Sequence, residues 1–256
     1  MNITNPNPGP ERAGARVGRL FARLALMTGA ACAVAALLPG PAYRMQWVSL
    51  ATGFSVLRGA TYGAIGAAVA AGLALLVLLL MRAPKGRATA VTALVLGLVV
   101  AAPGLHLSRQ AQQLPKIHDI STDTADPPRF VEVLPLRQGA RNPVEYRPET
   151  GAQQKIGYPD IVPLRLDVPP ARAFQRAEVV ARAMGWQIVA VDAGALRIEA
   201  TDTTLMFGFK DDIVIRVRPL GQGSLVDVRS LSRIGGSDIG ANARRVRLFL
   251  KKLAAA

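Results

Sequence analysis

The stretch VRSLSRIGGSDIGANARRVR, residues 228–247, packs five arginines, three serines and three glycines into twenty positions. It reads as a strand turning into a helix. Val226 and Val228 point to a core, so Asp227 and Arg229 point the other way. Gly235-Gly236 lets the chain turn. Ser237-Asp238 sits where a helix N-cap belongs, with a hydroxyl or carboxylate to take the first free amides. Ile239, Ala243, Val246, Leu250 and Leu253 then share one helix face, and Arg244, Arg245, Arg247, Lys251 and Lys252 share the other.

Working back from there, Leu225 to Leu231 reads as a strand after a Gly221-Gln222-Gly223 turn. Ile213, Ile215 and Val217 alternate with Val214, Arg216 and Arg218. Lys210-Asp211-Asp212 is expected as a turn, preceded by a strand over Leu205 to Phe209. Leu196 and Ile198 face inward on a further strand, joined through Asp192-Ala193-Gly194 to another over Trp186 to Val191. Pro169-Pro170 opens a helix whose Phe174, Ala177, Val180, Ala181 and Met184 recur at helical spacing until Gly185. Ile161 to Val168 is the first strand. The order β-α-β-β-β-β-α predicts an α+β domain, an antiparallel sheet with two helices packed against it.

The front of the chain is of another kind. Half of all residues are hydrophobic, yet the net charge is +14. Residues 1–110 carry ten cations against Glu11 alone, whereas residues 150–256 carry sixteen cations and ten acids. No charge occurs between Arg23 and Arg44, Arg58 and Arg82, or Arg87 and Arg109. A spanning helix needs about 20 apolar residues, so three spans are expected: Val17 to Leu38, Ala60 to Met81, and Ala88 to Leu107. The first could instead be a signal peptide, but its apolar core is long for one and no small-x-small cleavage site follows. MQWVSLATGFSVL, residues 45–57, is expected along the outer surface with Trp47 as an interface anchor.

Arg12, Arg16, Arg19, Arg23, Arg82, Lys85 and Arg87 share one side, against Arg44 and Arg58 on the other. The positive-inside rule puts the N-terminus in the cytoplasm, and three spans put the C-terminal domain outside. The expected organisation is a cytoplasmic tail (1–16), three transmembrane helices (17–110), a linker (111–157) and an extracytoplasmic α+β domain (158–256), in a bacterial inner membrane with the domain in the periplasm. Cys32 is the only cysteine, so no disulfide framework exists within the chain. No Asp, Glu, Lys or Arg lies deep in any span except Arg23 near an end, which argues against a pump or coupled transporter.

The linker reads as mostly extended or loop. In HDISTDTADPPRF, residues 118–130, Asp119, Ser121 and Asp123 imitate the first ligands of a calcium loop. Thr124 stands where glycine is needed and Phe130 where glutamate is needed. Side chains capping turns and binding nearby amides are the favoured reading.

FGFKDD (207–212) followed by VDVRSLSRIGGSDIGANARRVR (226–247) resembles the signature of the domain-of-unknown-function family 1499 (DUF1499). PKIHDISTDTADPPRF and IGYPDI resemble features of its membrane-anchored bacterial members, and the resemblance spans roughly Pro115 to Leu253. Many members open with a Cys-Pro…Ser-Pro-Asn-Cys stretch that this chain lacks, so no cysteine-dependent role carries over. The resemblance implies a domain and a location but no established activity.

If the arginine-rich stretch is a site, Arg229, Arg233 and Arg245 hold an anion, with Asp212, Ser232, Asp238 and Asn242 orienting them. The bland reading is an Arg/Asp network tying the last strand to the last helix. No catalytic residue, metal ligand or cofactor is assigned. The leading expectation is a non-catalytic envelope protein with the lipid bilayer, an anionic lipid or an envelope protein as partner. The alternative is a hydrolase-like enzyme using Asp211 and Asp212 with Ser230, Ser232 and Arg233. The segment from Tyr158 onward has no histidine, no Gly-x-Ser-x-Gly elbow, no Walker loop and no zinc spacing. Nucleic acid is not an expected partner, because the topology keeps the basic helix out of the cytoplasm and the domain lacks a basic patch interleaved with aromatics.

Overall fold

In a computed structural model of the chain, residues 10–256 are described, with side chains from residue 13 onward. Most of the expected cytoplasmic tail lies outside the described residues. The chain forms two compact units, Met1–Arg109 and Gln110–Ala256.

Three long helices build the first unit: α1 (Pro10–Leu37), α3 (Leu50–Leu80) and α4 (Arg87–Gln113), with a short α2 (Pro39–Arg44) after the first. Each long helix is apolar and long enough to cross a membrane. The expected spans are there, but the second is longer at its start. Ser49 caps α3 by accepting the Thr52 amide at 3.1 Å, and nothing between Leu50 and Leu80 breaks the helix. Residues 50–57 are therefore the first turns of α3. α4 carries Pro103 within it.

Small residues set how closely these helices approach. A Cβ on Gly97 of α4 would lie 2.8 Å from the Ala64 carbonyl and 2.9 Å from the Ala68 Cβ on α3. Ala22, Ala64, Ala71, Ala90 and Ala93 are buried between helices, whereas Met27, Leu73, Leu80 and Val99 point outward and exposed. Apolar side chains outside and small ones inside are the inverse of a water-soluble bundle, and suit a lipid surround.

The second unit is built on an antiparallel sheet of β1 (Asp119–Ser121), β2 (Leu164–Leu166), β3 (Gln187–Asp192), β4 (Arg197–Thr203), β5 (Lys210–Leu220) and β6 (Gly223–Ser232). The strand order is β1-β6-β5-β4-β3, with β2 also on β6. Helices α6 (Pro170–Ala183) and α7 (Ala241–Ala254) cover one face. Ile198, Ile213, Ile215, Val226 and Val228 meet Phe174, Ala177, Ala243, Val246 and Phe249 there, and Trp186 stacks on Phe249 at 5.3 Å. From Tyr158 onward the observed order is β-α-β-β-β-β-α, one strand fewer than the six stretches read from the sequence, because Leu205 to Phe209 is not a strand.

Two expectations need correction. The strand over Leu205 to Phe209 and the turn at Lys210–Asp212 exchange places. β4 ends at Thr203, opposite Lys210. Residues 204–209 form the hairpin loop, closed by the Thr204 amide donating to the Phe209 carbonyl at 2.8 Å. Phe207 and Phe209 stack on each other within the loop at 5.2 Å, so its apolar sequence imitates a strand. Asp211 and Asp212 consequently lie in β5, 3 % and 0 % exposed, and not at a solvated tip.

The stretch expected as mostly extended or loop, residues 111–157, is also structured. It supplies β1, a 3-10 turn at Leu134–Arg137 and a helix, α5 (Pro148–Gly157). Residues 122–147 cross the second sheet face, where Phe130 and Val133 pack on Val214 and Leu231. The sheet is therefore covered on both sides.

Candidate functional site

Alternation along a strand sends successive side chains to opposite faces. The candidate residues accordingly fall into two groups on opposite sides of the sheet.

On the covered second face, Arg229 meets Asp119 of the neighbouring strand, Nε to Oδ1 at 3.0 Å and Nη2 to Oδ2 at 2.8 Å. It also donates to the carbonyls of Pro128 at 3.2 Å and Val144 at 2.6 Å. The rings of Phe130 and Tyr146 flank its guanidinium at 5.0 and 5.3 Å. Burial pushes the Asp119 carboxyl above its usual pKa, opposed by the bonds and charge of Arg229. Burial likewise pushes the Tyr146 phenol up.

Four residues away on the same face, Arg233 grips Asp212 with Nε at 2.9 Å and Nη2 at 2.8 Å. Asp212 also accepts from Arg137 at 2.5 Å and from Thr201 at 2.8 Å. Arg137 and the Leu136 carbonyl, which Arg233 also bonds, belong to the covering segment. Glu199, fully buried in β4, accepts the Val131 and Val133 amides at 2.9 Å each.

Near the β5–β6 hairpin, Arg216 and Arg218 pair with Asp123 and Asp227, and Arg216 also with Asp126. Asp123 Oδ1 takes the amides of Ala125 and Asp126. Burial works against this carboxylate, but those amides and the two arginines outweigh it and hold its pKa below the usual value. The calcium-like segment is thus a capped turn locked by arginines.

On the helix face, Arg245 of α7 donates to Asp211 at 2.6 Å, Asp202 at 2.8 Å and Ser230 at 3.0 Å, and it also bonds Asn242. Asn242 accepts from Ser230 at 2.7 Å and donates to Ser232 and the His118 carbonyl at 3.0 Å. Asp238 takes the Asn242 and Gly240 amides at 2.5 and 3.1 Å. It therefore performs the expected capping, although the N-cap position itself is Gly240, at φ 73°. Ile239, at φ 49°, precedes the helix. Burial raises the Asp238 pKa even against the amides that stabilise its charge.

Of the seven candidate residues, Asp212, Arg229 and Arg233 thus lie on the covered face. Ser232, Asn242 and Arg245 lie on the helix face, with Asp238 capping α7 beside them. They do not converge on one pocket, and each guanidinium has a carboxylate. Asp211 and Asp212 point to opposite faces with separate arginine partners, so they make no acid–base pair. The sequence reading foresaw the link of sheet to last helix but missed the second clasp. Asp119, Glu199, Arg137 and the carbonyls of Pro128, Leu136 and Val144 complete that clasp, and no local spacing announces them.

Several cations of the second unit form no ion pair among the described residues, Lys116, Arg129, Arg141, Arg147 and Arg165 among them, and four more are exposed on the last two long helices of the domain. α6 and α7 lie side by side, and their outer surface exposes Arg172, Arg244, Lys251 and Lys252, none of which forms an ion pair among the described residues. Arg182 and Arg247 on the same helices pair with Glu178 and Asp160.

No curated protein matches the chain. The family model described as "Protein of unknown function (DUF1499)" matches residues 119–253, a span that begins with β1 and takes in both arginine clasps, so the chain belongs to the DUF1499 family.

Proposed function

We propose that this is a non-catalytic envelope protein of a bacterial inner membrane. Its N-terminus lies in the cytoplasm, and its α+β domain lies in the periplasm, where it binds an anionic lipid or another anionic envelope partner. The observation that carries this reading is the unpaired basic surface of α6 and α7, left over after the buried arginines are neutralised internally. Lys251 and Lys252 also sit in the last turn of α7, where the helix dipole favours them. Seven cations flanking the spans on the N-terminal side, against two on the other, support the orientation. A small anion at Arg229, Arg233 or Arg245 has to displace a buried carboxylate, which favours the exposed helix surface over the buried clasps.

The test uses the full chain in phosphatidylcholine nanodiscs, mixed with vesicles of phosphatidylcholine alone or with added phosphatidylglycerol, and with polyphosphate as a soluble polyanion. The expected result is salt-sensitive binding to one anionic probe, reduced several-fold in the variant Arg172→Gln/Arg244→Gln/Lys251→Gln/Lys252→Gln. Equal binding by both proteins, or none by either, refutes the reading. A phosphatase reporter fused after Ala256 and inactive outside the cytoplasmic membrane refutes the orientation.

A further inference from the structure

Two hollows open beside the covering segment, and Glu145 lines both. The larger, about 600 Å³, has an apolar wall of Phe130, Leu134, Val144 and Tyr146, with Arg229 also reaching it. The smaller, about 350 Å³, is polar, lined among others by His118, Thr150 and Gln153. Both volumes suit small-molecule sites.

Three features define what fits. First, the charges balance. Across the two hollows together, Arg129, Arg229, Lys116 and Arg147 are matched by Asp126, Asp119, Glu149 and the shared Glu145. In a chain of net charge +14 this neutrality gives an anion no net attraction. Second, hydrogen-bonding capacity is unused. Glu145 is exposed and makes no hydrogen bond among the described residues. Arg229 uses four of its five N–H groups, leaving one on Nη1. Third, Tyr146 and Leu134 line the larger hollow together with charged groups of both signs. Such a lining suits a ring with an apolar face and hydroxyls that donate and accept at once.

We propose that the two hollows form one groove for a neutral oligosaccharide, with Glu145 between two sugar-sized subsites. The groove lies on the covering segment, apart from the α6–α7 surface, so it stands or falls independently of the basic-surface reading.

Saturation-transfer NMR on the full chain in nanodiscs tests it, with chitotriose, cellotriose and maltotriose as neutral probes and trigalacturonate and inorganic phosphate as anionic ones. The expected result is transfer to at least one neutral trisaccharide. Glu145→Ala, which removes an exposed side chain without partners, weakens its affinity about tenfold, the worth of one hydrogen bond to a charged group. Glu132→Ala, exposed and outside both hollows, and the four-cation helix variant leave it unchanged. Absence of transfer to all three neutral probes at millimolar concentration, transfer to the anionic probes alone, or an affinity indifferent to Glu145→Ala overturns the proposal.

Discussion

Replacing Arg229 with methionine keeps the stem of the side chain and deletes its charge. Four hydrogen bonds disappear: two to Asp119, one to the Pro128 carbonyl and one to the Val144 carbonyl. Asp119, 4 % exposed, is left as a buried carboxylate without its partner. Removing one member of a buried ion pair costs about 3–5 kcal/mol, and the orphaned carbonyls add roughly 1 kcal/mol each where water fails to reach them. A loss of about 5–7 kcal/mol is therefore expected with both carbonyls dry, a large part of the stability of an ordinary domain. The sign of the pH dependence follows from the Asp119 pKa, which burial already raises and the loss of Arg229 raises further. Its charged form penalises the fold above the folded-state pKa, and the penalty vanishes below the unfolded value of about 3.8. The defect of Arg229→Met thus shrinks as pH falls. Asp119→Leu added to Arg229→Met recovers most of the loss by removing the orphaned charge. Thermal melting of the full chain in nanodiscs, followed by near-ultraviolet circular dichroism, measures this cycle. A single variant costing under about 1 kcal/mol, or a double variant no more stable than the single one, refutes the clasp.

Asp212→Asn removes the charge that holds Arg137 and Arg233 together and is expected to destabilise by about 3 kcal/mol or more. It also exposes residues 134–142 to limited proteolysis before the sheet unfolds. Gly97→Leu forces a side chain against the Ala64 carbonyl, and should separate α3 from α4 and lower the detergent-resistant melting temperature of the helical unit. The depressed Asp123 pKa means its stabilising charge is fully present above about 3.8 and is lost as pH falls through its folded value. Amide exchange at Ala125 and Asp126, corrected for intrinsic rate, should accelerate on acidification below that point, and Asp123→Asn should abolish the change. Asp238→Ala leaves the Asn242 and Gly240 amides without their acceptor and should cost about 1–2 kcal/mol in thermal melting, with fraying confined to the first turn of α7.

Much of the architecture follows from periodicity. Charge-free runs define the three long helices, because the cost of burying charge in hydrocarbon depends on composition alone. Alternation at Ile213, Ile215 and Val217, and helical spacing from Ala243 to Leu253, define strand and helix in the same local way. The errors fall where local composition misleads. The TLMFGF loop is apolar because its rings stack on each other, and Asp211-Asp212 looks like a turn although both carboxylates are buried by distant arginines.

The sequence by itself determined the three long apolar helices, most of the strand and helix order from Tyr158 onward and the family to which the chain belongs, since each rests on short-range pattern. Only the tertiary structure decided what the arginines do. Arg229 finds Asp119 across 110 positions of chain and Arg233 finds Leu136 across 97. Those meetings arise because β1 pairs with β6 and the following segment folds over the sheet. A guanidinium carries the same charge whether it awaits a ligand or already holds a buried carboxylate, and the chain must fold before its partner is in reach.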